Sequence, residues 1–101
     1  MSGNSGNDDL VWETSDPDGR RVLLTGERWT HVLDRHPYIG VAPKEIVDIV
    51  SRPDAWMHGP EEGEEWFYRG EAGPSRWIRV VVHYEENRGF VVTAFPRRRY
   101  P

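Results

Sequence analysis

The segment Arg76-Trp77-Ile78-Arg79-Val80-Val81-Val82-His83-Tyr84-Glu85 alternates with a period of two, the repeat of an extended strand whose successive side chains leave opposite faces. Ile78, Val80, Val82 and Tyr84 form one continuous apolar row, which predicts the face turned to a core. Trp77, Arg79, Val81 and His83 form the other row, which points to solvent or to a groove. Three neighbouring segments have the same character: Ala55 to Met57, Glu65 to Arg69 and Phe90 to Phe95. They are rich in Trp, Tyr, Phe, Val and Ile, and are separated by the breakers Gly59-Pro60, Gly70 to Pro74, and Asn87-Arg88-Gly89. Short breaks between period-two segments predict an antiparallel meander of about four strands.

Upstream the pattern changes. Leu10-Val11-Trp12 can open a strand, Pro17-Asp18-Gly19 is a turn signal, and Arg21 to Thr25 would return as the second strand of a pair. Thr25 or Gly26 then caps a helix from about Glu27 to His36, which must stop because Pro37 pushes the preceding residue out of helical conformation. A second helix fits Pro43 to Ser51, with proline in its first turn, Glu45 at the positive end of the dipole and Pro53 beyond it. The expectation is therefore an α+β domain: an N-terminal strand pair, then two short helices packed on one face of the meander sheet. Residues 1–9 hold no apolar pattern and read as a disordered lead-in, leaving residues 10–101 as a single domain.

Composition narrows the function classes. The 101 residues contain no cysteine, which excludes disulfides, zinc ribbons and thiol nucleophiles. No apolar run approaches the roughly 20 residues of a bilayer span, and the opening residues lack the basic and apolar regions of a signal peptide. The expectation is a soluble chain with no membrane association, acting in a cytoplasm or delivered into a target cytoplasm. Five of the 17 acids fall in residues 1–19, so the remainder is nearly neutral, with Lys44 the lone lysine among 13 basic residues. An arginine-rich domain of balanced charge is a poor clamp for long duplex nucleic acid, yet it can hold one or two phosphates in a defined pocket. No His-Glu-x-x-His motif, nucleophile elbow around Ser51 or Ser75, or glycine-rich phosphate loop is present, so no metal site and no cofactor are expected.

On the first helix, Trp29, Val32, Leu33 and His36 share one face, while Arg28, His31 and Arg35 share a neighbouring one. Imidazole moves protons near neutral pH and guanidinium holds phosphate, so this helix carries the raw material for phosphodiester cleavage. His31 and His36 lie about 140° apart around the helix, too far to grip one ion. His36 also fits a helix cap satisfying a free carbonyl. Burial would lower its pKa and the negative helix end would raise it. On the strands, Tyr68 and Arg69 face opposite ways, so only one of them can line a pocket with Thr93. The acidic run Glu61-Glu62-Gly63-Glu64-Glu65 reads as a solvated hairpin loop.

Taken in order, Arg35-His36-Pro37, Arg52-Pro53-Asp54, Phe67-Tyr68-Arg69, Ile78-Arg79-Val80-Val81-Val82 and Phe90 to Phe95 with Val92-Thr93-Ala94 resemble the small metal-independent nuclease toxins grouped with barnase, EndoU, colicin and RelE. The likeness is to their phage-associated and polymorphic-toxin branch, and covers roughly Glu27 to Phe95. It implies an antiparallel α+β fold and RNA cleavage, with His31, Arg35, His36, Tyr68 and Thr93 at catalytic positions. Arg28, Arg69, Arg79 and His83 are the candidate substrate contacts. RNA is the implied substrate, transfer RNA or ribosome-bound messenger included, and an antitoxin or immunity protein is a conceivable companion. Metal-free cleavage uses the neighbouring 2′-hydroxyl, so the protein must supply a base, an acid and a cation for the phosphorane. His31, whose face also carries Arg35, is the first choice for proton transfer, and His36 the more structural of the two. A non-catalytic domain of the same fold that binds RNA or a protein, and a structural α+β protein with incidental histidines, are the competing readings.

Overall fold

The computed structural model describes residues 10–72 and 76–100. The lead-in expected over residues 1–9 lies outside these. The elements follow the chain as β1 (Val11–Ser15), β2 (Arg21–Thr25), α1 (Gly26–Arg35), α2 (Pro43–Ser51), β3 (Ala55–His58), β4 (Glu64–Gly70), β5 (Trp77–Glu85) and β6 (Arg88–Arg97). The fold is α+β, with one correction to the expected architecture. The N-terminal pair is not separate from the meander: β2 runs parallel to β6, pairing Val22 with Gly89 and Leu23 with Phe90, and this joins everything into one six-stranded mixed sheet ordered β1-β2-β6-β5-β4-β3. Gly89 is required on the β5 side of this strand, because a Cβ there would stand 2.8 Å from side-chain atoms of both Tyr84 and Val82.

Both helices begin and end where their residues dictate. The Thr25 hydroxyl accepts a hydrogen bond from the Arg28 amide at 3.2 Å, and His36, in the non-helical pre-proline conformation, closes the last turn with its amide on the Val32 carbonyl at 2.8 Å. In α2 the Ala42 amide donates to the Glu45 carboxylate at 3.0 Å, and Pro43 occupies the first turn, where no amide donor is needed. Their apolar stripes close on one face of the sheet. Val32, Ile46, Ile49 and Val50 meet Val22, Leu24, Phe67, Ile78, Val80, Val82, Val91 and Ala94, all buried, with Trp12, Trp29 and Trp56 at the rim. Strict alternation along β6 would put Val91 and Ala94 on opposite faces. A bulge opposite Val81/Val82 leaves Val92 unpaired, and the one-residue insertion turns both toward the core.

One end of the helix-side face is closed by charge. The buried Asp16 carboxylate accepts from the amides of Asp18 and Arg20, from Arg20 Nε at 2.8 Å and from the Tyr84 hydroxyl at 2.7 Å. Arg20 reaches on to Glu65 at 2.8 Å, and the Trp56 indole donates to the same Glu65 oxygen at 2.8 Å. Glu65, read as part of a solvated loop, is therefore buried and paired. Every ionised group in this knot has its partners, which is what burying charge requires.

Candidate functional site

The face of the sheet away from the helices is chemically mixed. On β5 it presents Trp77, Arg79, Val81 and His83. The register puts Tyr68 and Phe95 directly beside Arg79 on β4 and β6, and Thr93 beside Val81. Thr93 and Arg97 stand two residues to either side of Phe95, so both are diagonal neighbours of Arg79 on this face.

Helix α1 flanks this face where β2 has ended. Its first turn places Arg28 in a shallow pocket with Thr25, Glu27, His83 and Phe90. The residue that caps its C-terminus, His36, sets its ring 5.6 Å from that of Phe95. Ten helical residues span about 15 Å, and the five steps from Phe90 to Phe95 span about 17 Å, so α1 runs alongside β6 with one end at His83 and the other at Phe95. The helix thus brings Arg28 and His83 together at one end of the face and sets His36 against Phe95 at the other. His31 is half-buried and Arg35 exposed.

The His36 imidazole has its pKa lowered from the ordinary histidine value, first by burial, then by the positive charge of Arg35 and by His31. With its pKa held below the ordinary histidine value, the ring is in its neutral form at pH 7. A neutral imidazole at the edge of an exposed face is a proton acceptor in the form a general base requires.

Tyr68 is 0% exposed. Its hydroxyl accepts from Arg79 Nε at 2.8 Å, the Tyr100 ring stands edge-on to it at 4.8 Å, and Trp77 meets it edge-on at 6.4 Å. Tyr100 stacks on Trp77 at 5.2 Å, so the segment after β6 folds back as a cover over the phenol. Arg69 takes no part in this face. It lies on the helix side, donating to the Asp48 carboxylate at 3.1 Å and to the Arg52 carbonyl at 2.8 Å, where it satisfies the last turn of α2.

Arg79 is 8% exposed. Its guanidinium lies 3.7 Å above the Trp66 ring and 5.3 Å from the centroids of Tyr68 and Phe95. Phe95 and Arg97 are parts of this site that the sequence reading did not single out, while Trp66, open to either base stacking or the core, lies on this face under Arg79. The signal for Arg97 was present: period two from Thr93 leads through Phe95 to Arg97 on one face. Trp66 follows from the opposite parity to Phe67, once the pairing of β4 with β5 is known.

Among the described residues, no group of three or more His, Asp or Glu side chains could hold a metal ion, and no helix is long and apolar enough to cross a membrane. No protein-family model, no curated protein and no solved structure matches this chain.

Proposed function

We propose that the domain is a metal-independent endoribonuclease, a toxin or toxin-derived, that cleaves RNA through its 2′-hydroxyl. The observation that carries the reading is the contact of His36 with Phe95, which brings a neutral imidazole to the sheet face holding Arg79 and Thr93. In this scheme His36 takes the proton from the 2′-hydroxyl and the oxygen attacks the adjacent phosphorus. The arginines of the face stabilise the phosphorane charge, and the Thr93 hydroxyl donates to a phosphoryl oxygen. His31, about 140° around the helix from His36, does not reach the same phosphate, so in this scheme the departing 5′-oxygen takes its proton from solvent. His36 rather than His31 is favoured as base because its ring packs against Phe95 of this face. Arg28 and His83, at the far end of the same face, would meet a neighbouring nucleotide.

The buried Tyr68 favours a second reading, in which the same face binds RNA or a protein without cleaving. A phenol with no exposure and a bond to Arg79 is not free to touch a substrate. Incubation of the purified protein with total RNA, transfer RNA and ribosomes in EDTA separates the two. Strand cleavage that disappears in His36→Ala, with the variant folded, supports the nuclease; RNA binding without turnover supports the second reading.

A further inference from the structure

Arginines in this chain are almost all solvated or answered by a carboxylate. Arg20 has Asp16 and Glu65, Arg21 has Glu13, and Arg52 and Arg69 share Asp48. Among the described residues Arg79 is the one arginine in the buried class, and no carboxylate lies within ion-pair distance of it. Its Nε is committed to the Tyr68 hydroxyl, and the two terminal nitrogens make no hydrogen bond with a described residue. Glu64, the carboxylate whose field reaches it, accepts from the Trp66 indole at 2.8 Å and from the Glu61 amide at 3.2 Å. Aromatic faces compensate part of the lost hydration, but ring quadrupoles do not neutralise a cation.

Instead of an acid, the residues beside Arg79 are a second cation and a hydroxyl. Arg97 is the diagonal neighbour on β6, close enough for its charge to oppose that of Arg79. Thr93 is the other diagonal neighbour, and its hydroxyl makes no hydrogen bond with a described residue. A buried guanidinium with free N–H groups, a second guanidinium and an unused hydroxyl on one sheet face form a receptor whose missing component is an oxyanion.

We infer that Arg79, Arg97 and Thr93 form a binding subsite for a phosphoryl group, the counter-ion that the buried guanidinium lacks. Phosphate suits it better than a single carboxylate, since its several oxygens can answer the two free nitrogens of Arg79 together with donors that stand to either side of Phe95 on β6. The aromatic ring of Phe95 lies between the donors, a surface on which the base of a phosphate ester can rest. The subsite sits on the face used in the proposed cleavage but does not need that reaction, because a domain that only binds RNA would need it equally.

The test uses His36→Ala, in which the proposed reaction is disabled, so that binding is read without turnover. Inorganic phosphate is titrated at constant ionic strength against chloride, following the Nε–Hε NMR signal of Arg79 and the fluorescence of the tryptophans. A saturable shift of Arg79 is expected, weakened about tenfold by Arg97→Ala, a substitution at a partly exposed position and so gentler on the fold than one at the buried Arg79. A uridylyl-uridine dinucleotide that binds at least tenfold more tightly than phosphate assigns the subsite to a nucleotide; equal affinities assign it to free phosphate, and either result upholds it. No saturable shift, an identical response in Arg97→Ala, or a response to an acidic peptide but not to phosphate overturns it. Phosphate binding by a wild-type protein that never cleaves RNA would remove the nuclease and leave the subsite standing.

Discussion

His36 joins the sequence to the proposed chemistry through one electrostatic fact: burial, then Arg35, then His31 hold its pKa below the ordinary histidine value. The unfolded chain therefore takes up the proton first as the pH falls. The stability this residue contributes is complete above about pH 6.5 and is lost as the pH drops through the folded value. In catalysis, kcat/KM on a short oligoribonucleotide should rise along an acid limb centred below the ordinary histidine value and be flat by pH 7. Arg35→Gln removes the second-largest cause and should move that limb upward, and His36→Ala should lower the plateau by about 100-fold or more. A limb unmoved by Arg35→Gln would place the titrating group elsewhere. Tyr84 shows the opposite sign. Burial first, and its hydrogen bond to Asp16 second, push its phenol far above the usual tyrosine range. An unfolded tyrosine ionises near pH 10 while the folded one does not, so stability is full below that pH and lost above it. Tyr84→Phe should cost about 1–2 kcal/mol at neutral pH by taking one donor from Asp16, measured by urea unfolding. It should also flatten the loss of stability between pH 10 and 11.

Arg69 marks the difference between a residue that resembles a site and one that belongs to it. It is bound to Asp48 and to the last carbonyls of α2, on the face opposite Thr93. Arg69→Ala should cost about 1 kcal/mol in thermal unfolding, a modest figure because the pair is partly solvated, and leave RNA cleavage unchanged at temperatures where the domain is folded. A large loss of activity without destabilisation would reassign it to the substrate. The helices were legible because their signals are local: Thr25, Pro37 and Pro43 set their boundaries within a residue. The period-two faces of β5 were legible for the same reason. The pairing of β2 with β6 was not. A parallel pair has no tight turn to betray it, and here it joins Val22 to Gly89, sixty-seven residues further along the chain. The bulge at Val92 was hidden too, because one inserted residue leaves composition and spacing of apolar residues almost unaltered. For the site, alternation separated Arg79 and His83 from the core. It could not reveal the burial of Tyr68, which is covered by Tyr100 and Arg79 from distant parts of the chain.

Across the whole molecule, a net charge of −4 conceals a polarised distribution. Three of the four hairpin turns gather at one end of the sheet, where Arg21 pairs with Arg88 and Glu64 with His83, and carry Asp16, Asp18, Glu61, Glu62, Glu64, Glu85 and Glu86 against Arg20, Arg21 and Arg88. At the other end, where Trp77 pairs with Arg97 and His36 meets Phe95, stand Arg35, Arg76, Arg97, Arg98 and Arg99, against the carboxylates of Asp54 and Glu71 beside Arg76. The nine residues of β5 separate these ends by about 30 Å, while the Debye length in physiological salt is about 8 Å. A polyanion approaching the arginine end is therefore screened from most of the acidic end, and the negative total does not oppose binding there. Two sets of substitutions distinguish a local contact from a net-charge effect. Replacing Arg97, Arg98 and Arg99 by glutamine should weaken single-stranded RNA binding. It should also reduce the slope of log affinity against log salt by about 2, if each arginine answers one phosphate. Glu85→Lys with Glu86→Lys raises the net charge by four, more than the triple substitution lowers it, yet should leave affinity at 150 mM salt within about twofold. Fluorescence anisotropy between 50 and 200 mM salt measures both. Equal and opposite responses from the two variants would mean that RNA senses the total charge, and the arginine end would lose its claim to be the binding surface.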